Sequence, residues 1–255
     1  MNPIKILIIY AHPDDESFGN AGTIAKYTTE KNVEFHIACA TRGEAGKLGD
    51  PPLTTREELG AYREMEMAQA TRILGVKQIH YLDFLDGTLH MLSDTENEQL
   101  VKSIVKVILD VKPHIIITFP EDGISLHKDH IAIHFATKAA LDIVKNTYTI
   151  PKVYYSVVPK SIYHSRGLLD RGVDDQFVTI KEDIDLYRKQ KLEALKKYKT
   201  QIFSVNKVYP GLLDSNDWSI IPKYEFYQLI RLYGKSVDGS TYHETSILDH
   251  LSDYA

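Results

Sequence analysis

Short apolar runs and amphipathic stretches alternate along the first half of the chain. Ile4–Tyr10 (IKILIIY) is too short and too β-branched to be anything but a buried strand. Val33–Ala40 (VEFHIACA), Gln78–Leu82 and His114–Phe119 (HIIITF) read the same way. Helical patterns separate them, over Phe18–Lys31, from Thr54 or Thr55 to Leu74, over Glu96–Val111, and from Asp129 to Lys145. Each of the two threonines has a glutamate three residues later, the capping-box spacing. Leu100, Ile104, Val107, Ile108 and Val111 repeat at helical spacing. Such alternation predicts an α/β fold, a mostly parallel sheet with helices on both faces.

The pattern loosens after Lys145. Lys152–Val158 and Gln176–Ile180 are predicted strands, and Asp183–Gln201 a long charged helix. Asp214–Leu232 carries the single tryptophan, Trp218, and is expected to pack a sheet edge or a subunit contact. From Lys235 the chain is polar and is expected to be a mobile tail. The organisation is therefore one domain over residues 1–234, with a core over 3–145 and an extension over 146–234, followed by the tail 235–255.

Composition narrows the classes. Hydrophobic residues make up 43% and charged residues 25%, an ordinary globular balance. The net charge is −5 with no basic block, so no nucleic-acid surface is expected. Cys39 is the one cysteine, which rules out an intrachain disulfide and a thiolate-rich metal site. No apolar run approaches the roughly 18 residues of a membrane span. The N-terminal run leads into acidic residues instead of a cleavage site, so a cytoplasmic location is expected.

Two strand ends carry chemistry. The first strand stops at Ala11–Ser17 (AHPDDES), where Pro13 forces a turn and three carboxylates, Asp14, Asp15 and Glu16, follow His12. Like charges crowded at a strand end repel, and a bound cation would resolve the conflict. The plainer alternative is that the carboxylates cap the next helix. That accounts for Glu16 and Ser17 but leaves unexplained a histidine three residues before Asp15. The loop Thr41–Thr54, rich in Gly and Pro, follows another strand end and is long enough to suggest function.

The second strand end, after Phe119, reads PEDGISLHKDHIAIH. His130 and His134 lie one turn apart on a helix face, with His127 near its start. In a parallel sheet, ligands gather at the carboxyl ends of strands. Histidines and a carboxylate meeting there would leave a coordination position open, as in catalytic zinc sites, and iron(II) accepts the same ligands.

AHPDDE followed by HxDHxxxH resembles the LmbE-like (PIG-L) zinc-dependent N-deacetylases. TRGEAG at Thr41–Gly46, RxxE at Arg63–Glu66 and LGV at Leu74–Val76 fall in the order that family shows. The resemblance covers residues 3–145. It implies a Rossmann-like three-layer sandwich, with the extension completing sheet and pocket, and it implies site roles. His12, Asp15 and His130 would hold Zn2+ (or Fe2+), and Asp14 would be the general base. His127 would stabilise the oxyanion and protonate the leaving amine, with Asp129 as its partner. Arg63 matches a substrate-contacting arginine, although an ion pair with Glu66 or Glu58 would explain it equally.

Two positions depart from the family pattern. Lys128 replaces the proline of HPDH, and Ser125 stands where some members have a carbonyl-assisting tyrosine, a role open to Tyr154 or Tyr155. His134 is expected to pack, and His36, His80, His90, His114 and His164 are read as structural. The implied activity is removal of an acetyl group from the amine of an N-acetylglucosamine-type sugar or glycoside, by an enzyme that often forms trimers or hexamers. A metal-dependent phosphoesterase and a non-catalytic sugar- or nucleotide-binding protein are the rival readings. No P-loop or aspartate-rich second metal cluster supports the first, and Asp14 beside an open metal position argues against the second.

Overall fold

The computed structural model describes residues 2–251 apart from 166, 169 and 170. Its elements, in chain order, begin with β1 (Ile4–Tyr10), α1 (Asp15–Gly19), α2 (Ala21–Glu30), β2 (Val33–Cys39), α3 (Leu59–Leu74), β3 (Gln78–Tyr81), α4 (Asp94–Val111), β4 (Ile115–Thr118) and α5 (Lys128–Val144). The extension supplies β5 (Lys152–Val157), α6 (Lys160–Ser165), β6 (Ile180–Asp183), α7 (Arg188–Leu195), α8 (Ile202–Val208), α9 (Leu212–Ser215), β7 (Tyr224–Leu232) and β8 (Lys235–Ser236).

The strands join in one sheet of order β3-β2-β1-β4-β5-β7-β6, with β8 paired to β7. The first five strands are parallel, and β7 runs antiparallel to β5, β6 and β8. Right-handed crossovers put α2 and α3 on one face, where α7 joins them, and α4 and α5 on the other. Both faces are therefore covered. Ile6–Ile9 and Ile115–Ile117 are fully buried, as their unbroken apolar runs require. The chain reverses its direction across the sheet between β1 and β4. The carboxyl ends of those neighbours form a topological switch point, the usual ligand crevice of such sheets. Both motif-bearing strand ends open there.

Several boundaries differ from the sequence reading. The helix expected over Phe18–Lys31 starts earlier and breaks at Asn20. The Asn20 side chain accepts from the Tyr10 hydroxyl and donates to Tyr227 at 2.8 Å and Ser156 at 3.3 Å, tying the break to β1, β5 and β7. Just beyond it, Gly22 meets Ile184 so closely that a Cβ would sit 2.4 Å from Cδ1. The helix expected from Thr54 or Thr55 begins only at Leu59. Arg56 is drawn back to the carbonyls of Glu44 (2.7 Å) and Gly46 (2.8 Å), which pulls the intended first turn into the loop. A complete capping box occurs instead at Ser93 and Glu96, where it starts α4.

In the extension, β6 lies at Ile180–Asp183 and the long helix contracts to α7, flanked by 3₁₀ turns. Its charges misled because some point inward. The buried Lys191 ammonium binds Glu225 and the Phe18 carbonyl, both at 2.7 Å. The segment expected at a sheet edge contributes β7, an interior strand between β5 and β6. The stretch from Lys235 to Leu251 is packed, with Ile247 and Leu251 buried in the core. Buried Lys152 reaches Glu244 at 2.6 Å and the carbonyls of Ile247 and Asp249, so this polar segment is held by an ion pair from the sheet. Residues 252–255 of the expected tail lie outside the described residues. Among the described residues no helix is long and apolar enough to cross a membrane.

Candidate active site

The turn after β1 is locked by its own carboxylates. Asp15 Oδ2 accepts the His12 backbone N–H at 2.8 Å, and Glu16 accepts the Asp14 N–H at 3.2 Å. Glu16 is fully buried, and its other oxygen takes hydroxyls from Ser17 and Tyr198, both at 2.6 Å. Asp14 is left at φ 108°, a left-handed conformation that a non-glycine residue adopts only at a cost. Strain of that kind, held by buried hydrogen bonds, fixes the direction in which the Asp14 carboxylate points.

His12, Asp15 and His130 converge. His12 Nδ1 lies 3.2 Å from His130 Nε2, which lies 3.2 Å from Asp15 Oδ1, and His12 Nδ1 lies 3.6 Å from Asp15 Oδ2. Tetrahedral zinc with ligands at about 2.0–2.2 Å has ligand–ligand edges of about 3.3–3.6 Å. The two rings meet different oxygens of Asp15, Oδ1 from His130 and Oδ2 from His12, so the three side chains converge without one carboxylate oxygen common to both. Each imidazole is also oriented from behind. His130 Nδ1 donates to the Gly123 carbonyl at 3.0 Å. His12 Nε2 faces Asp86 at 2.9 Å and Asp129 at 3.4 Å. A metal-binding histidine characteristically donates its second N–H to a carbonyl or carboxylate. The donor set fits a divalent cation. Among the described residues, the groupings that place one ligating atom of each residue within 4.8 Å of the others are His12 with His127 and His130, and His12 with Asp86 and Asp129; Asp15 belongs to neither. The latter uses the Nε2 side of His12, where the carboxylates serve equally as acceptors.

Electrostatics agrees with a site built around cationic charge. Burial would lower the His12 pKa, but Asp129, Asp15 and Asp86 together hold it well above the ordinary imidazole value. Burial would raise Asp15, yet His130 and His12 hold its carboxyl well below the usual range. Asp14 behaves oppositely. Burial pushes it up to about 8, against the pull of the Arg63 guanidinium.

Other residues depart from their implied roles. Arg63 is 3% exposed; its guanidinium binds Asp14 Oδ2 at 3.0 Å and the carbonyls of Pro13 and Gly43, so it positions Asp14 from behind instead of facing the mouth. Gly43, at φ 73°, leaves it room, since a Cβ there would overlap Arg63 Nη1. Glu66, the alternative partner of Arg63, is bonded to Thr200. Asp129, expected to hold His127, instead gives its carboxylate to His12, to His90 Nδ1 at 3.1 Å and to the Gly87 N–H at 2.7 Å. Only its backbone N–H reaches His127, donating to Nδ1 at 3.2 Å and making His127 the N-cap of α5. The His127 ring stands at the exposed mouth, 4.8 Å from the ring of His12 and 4.7 Å from that of His130. Burial, then the neighbouring His12 and His130, lower its pKa.

His134 is no ligand; its Nδ1 donates to the Phe119 carbonyl at 3.0 Å. Tyr154 cannot stand in for a tyrosine at Ser125, because its hydroxyl is spent on Glu244 at 2.6 Å. The Tyr155 ring packs 5.1 Å from His134, away from the cluster. Asp86 and His90 were missed from the sequence. Both follow β3, another carboxyl strand end of the same sheet, and that position was the available signal.

Residues 7–141 match the family described as PIG-L, GlcNAc-PI de-N-acetylase. The chain is 32% identical over 227 residues to a probable N-acetyl-alpha-D-glucosaminyl L-malate deacetylase 2 of Bacillus anthracis, covering 85% of this chain and 92% of that protein. Its fold is shared with the N,N'-diacetylchitobiose deacetylase of Pyrococcus horikoshii (TM-score 0.64, 21% identity, 96% of this chain and 88% of that one). It is shared too with a 4-carboxy-2-hydroxymuconate hydratase of Pseudomonas putida (TM-score 0.65, 18% identity, 89% and 96%), so the fold alone does not choose the reaction. The sequence match does what the fold cannot: this chain belongs to the PIG-L family.

Proposed function

We propose that this protein is a zinc-dependent hydrolase that removes the acetyl group from the amine of an N-acetylglucosamine-type glycoside, releasing acetate and the free amino sugar. The single observation that carries the reading is the convergence of His12 Nδ1, His130 Nε2 and the Asp15 carboxylate, with contacts of 3.2–3.6 Å, and Asp14 next to Asp15 in the same turn. The deacetylase activity attached to its Bacillus anthracis relative points to the same chemistry. Iron(II) would fit the same donors.

His12 Nδ1, Asp15 and His130 Nε2 would hold the ion, which when bound lowers the pKa of its water to about 7 and polarises the acetyl carbonyl. Asp14, fixed by Arg63 and by its own strained backbone, accepts a proton from the attacking water. As the water oxygen joins the carbonyl carbon, His127 donates to the developing oxyanion. Its Nδ1 accepts from the Asp129 N–H, so the neutral ring carries its proton on Nε2. The C–N bond then breaks, and the proton held by Asp14 passes to the departing amine.

The test is an amine-release assay over N-acetylglucosamine, its malate and inositol glycosides and N,N'-diacetylchitobiose, with p-nitrophenyl phosphate as control. Release from at least one acetylated sugar, abolished by chelation and restored by zinc, is the expected result. Phosphate release without amine release, or deacetylation unaffected by chelation, would overturn the reading.

A further inference from the structure

A cavity of about 190 Å³ opens under α5, between that helix and residues of β4, β5, β7 and β8. None of His12, Asp14, Asp15, His127 or His130 lines it. Its polar wall includes Thr137, Lys138, His134, Tyr155, Arg231 and Ser236. Two of these are cations and none is acidic. Lys138 is exposed and makes no ion pair among the described residues. Arg231 gives one nitrogen to Asp142 at 2.8 Å; Asp142 lies outside the lining, and the rest of the guanidinium fork makes no ion pair there.

The buried polar groups are unfinished as well. Thr137 is fully buried, yet among the described residues its hydroxyl has no hydrogen-bond partner, a condition that disfavours the folded state unless something fills it. The Tyr155 hydroxyl makes no hydrogen bond among the described residues either. Burial pushes its pKa up to about 12, so it stays a donor at any physiological pH. Hydroxyl donors and two cations lining one small concavity describe a receptor for negative charge. The volume sets the scale, since drug-sized ligands occupy about 300–1,000 Å³ and this space is smaller.

We infer that this cavity is a second, non-catalytic binding site for a small anion, a phosphate or a short dicarboxylate, held by Lys138 and Arg231 with hydroxyl donation from Thr137 and Tyr155. The site is separated from the metal cluster by Phe119, which stacks on His130 at 4.1 Å and offers its carbonyl to His134.

Calorimetric titration of the full chain with sodium phosphate and, separately, sodium succinate tests this, with sodium chloride holding ionic strength constant. Saturable one-site binding of either anion is expected, and the tighter of the two assigns the chemistry. Lys138→Met, on an exposed side chain that the fold does not need, should weaken binding about tenfold or more, as loss of a charge-assisted hydrogen bond does. Thr137→Val, isosteric, should weaken it severalfold without lowering Tm. His130→Ala, which dismantles the metal cluster, should leave it unchanged. No binding beyond chloride, equal binding in Lys138→Met, or loss of binding in His130→Ala would each overturn the assignment.

Discussion

Asp86 Oδ1 lies 2.9 Å from His12 Nε2, on the side of the ring opposite His130. That contact turns the imidazole so that its other nitrogen meets His130 and Asp15, the proposed fellow ligands. Asp86→Ala should therefore keep the fold but lower zinc affinity by about 10–100-fold, the usual effect of losing a carboxylate behind a ligating histidine. Competition against a chromophoric chelator measures it. His130→Ala should lose the metal outright, and full zinc occupancy in that variant would remove His130 from the ligand set.

Asp14 and Asp15 are neighbours with opposite duties in the proposed mechanism. Asp14→Asn should retain about one zinc per chain and lose turnover by about 10²–10⁴-fold, the range for a positioned general base. Metal analysis alongside steady-state kinetics separates the two. An Asp14→Asn enzyme of ordinary activity would assign the base elsewhere.

The pH profile should report Arg63. Burial is the largest influence on Asp14 and raises its pKa, while Arg63 opposes it. A base works only when ionised, so kcat/KM climbs as pH rises through the Asp14 titration. Removing the guanidinium favours the protonated carboxyl, so in Arg63→Met the acidic limb should move to higher pH. A limb that stays in place, or moves down, would detach Arg63 from the base.

Lys152 and Glu244 form an ion pair buried on both sides, with side-chain exposures of 0% and 1%. Glu244→Ala strands an ammonium in the core and should cost about 3–5 kcal/mol by chemical denaturation. Lys152→Met combined with Glu244→Gln should recover much of that loss, because a neutral pair escapes the desolvation penalty. Truncation after Gly234 should destabilise as the single substitution does.

Much of this was legible in the sequence because parallel strands buried on both faces must be apolar throughout, which made β1, β2 and β4 unmistakable. That His12, Asp15 and His130 come together was legible for a different reason: the family resemblance pointed to them, and they follow the carboxyl ends of the neighbouring strands β1 and β4. The misses have physical causes. Asn20 splits a helix through side-chain bonds to strands that come much later, and nothing within the helix itself signals them. Lys191 read as part of a charged helix but is neutralised inside by Glu225, as Lys152 is by Glu244. Asp129 was given to His127, its neighbour in sequence, when tertiary packing gives its carboxylate to His12 and His90. Polar composition made the last stretch look like a tail, although it covers a buried lysine.

The crevice between β1 and β4 also sets an order of events in the life of the molecule. A ribosome finishes the AHPDDE turn long before it has made the second imidazole-bearing segment, and the intervening chain must wind out to β3 and back before the two strands lie side by side. Half a coordination sphere has little hold on an ion. On the proposed reading, metal capture is thus a late act of maturation that rewards a completed sheet, and an ion offered to the nascent chain has nothing to seed.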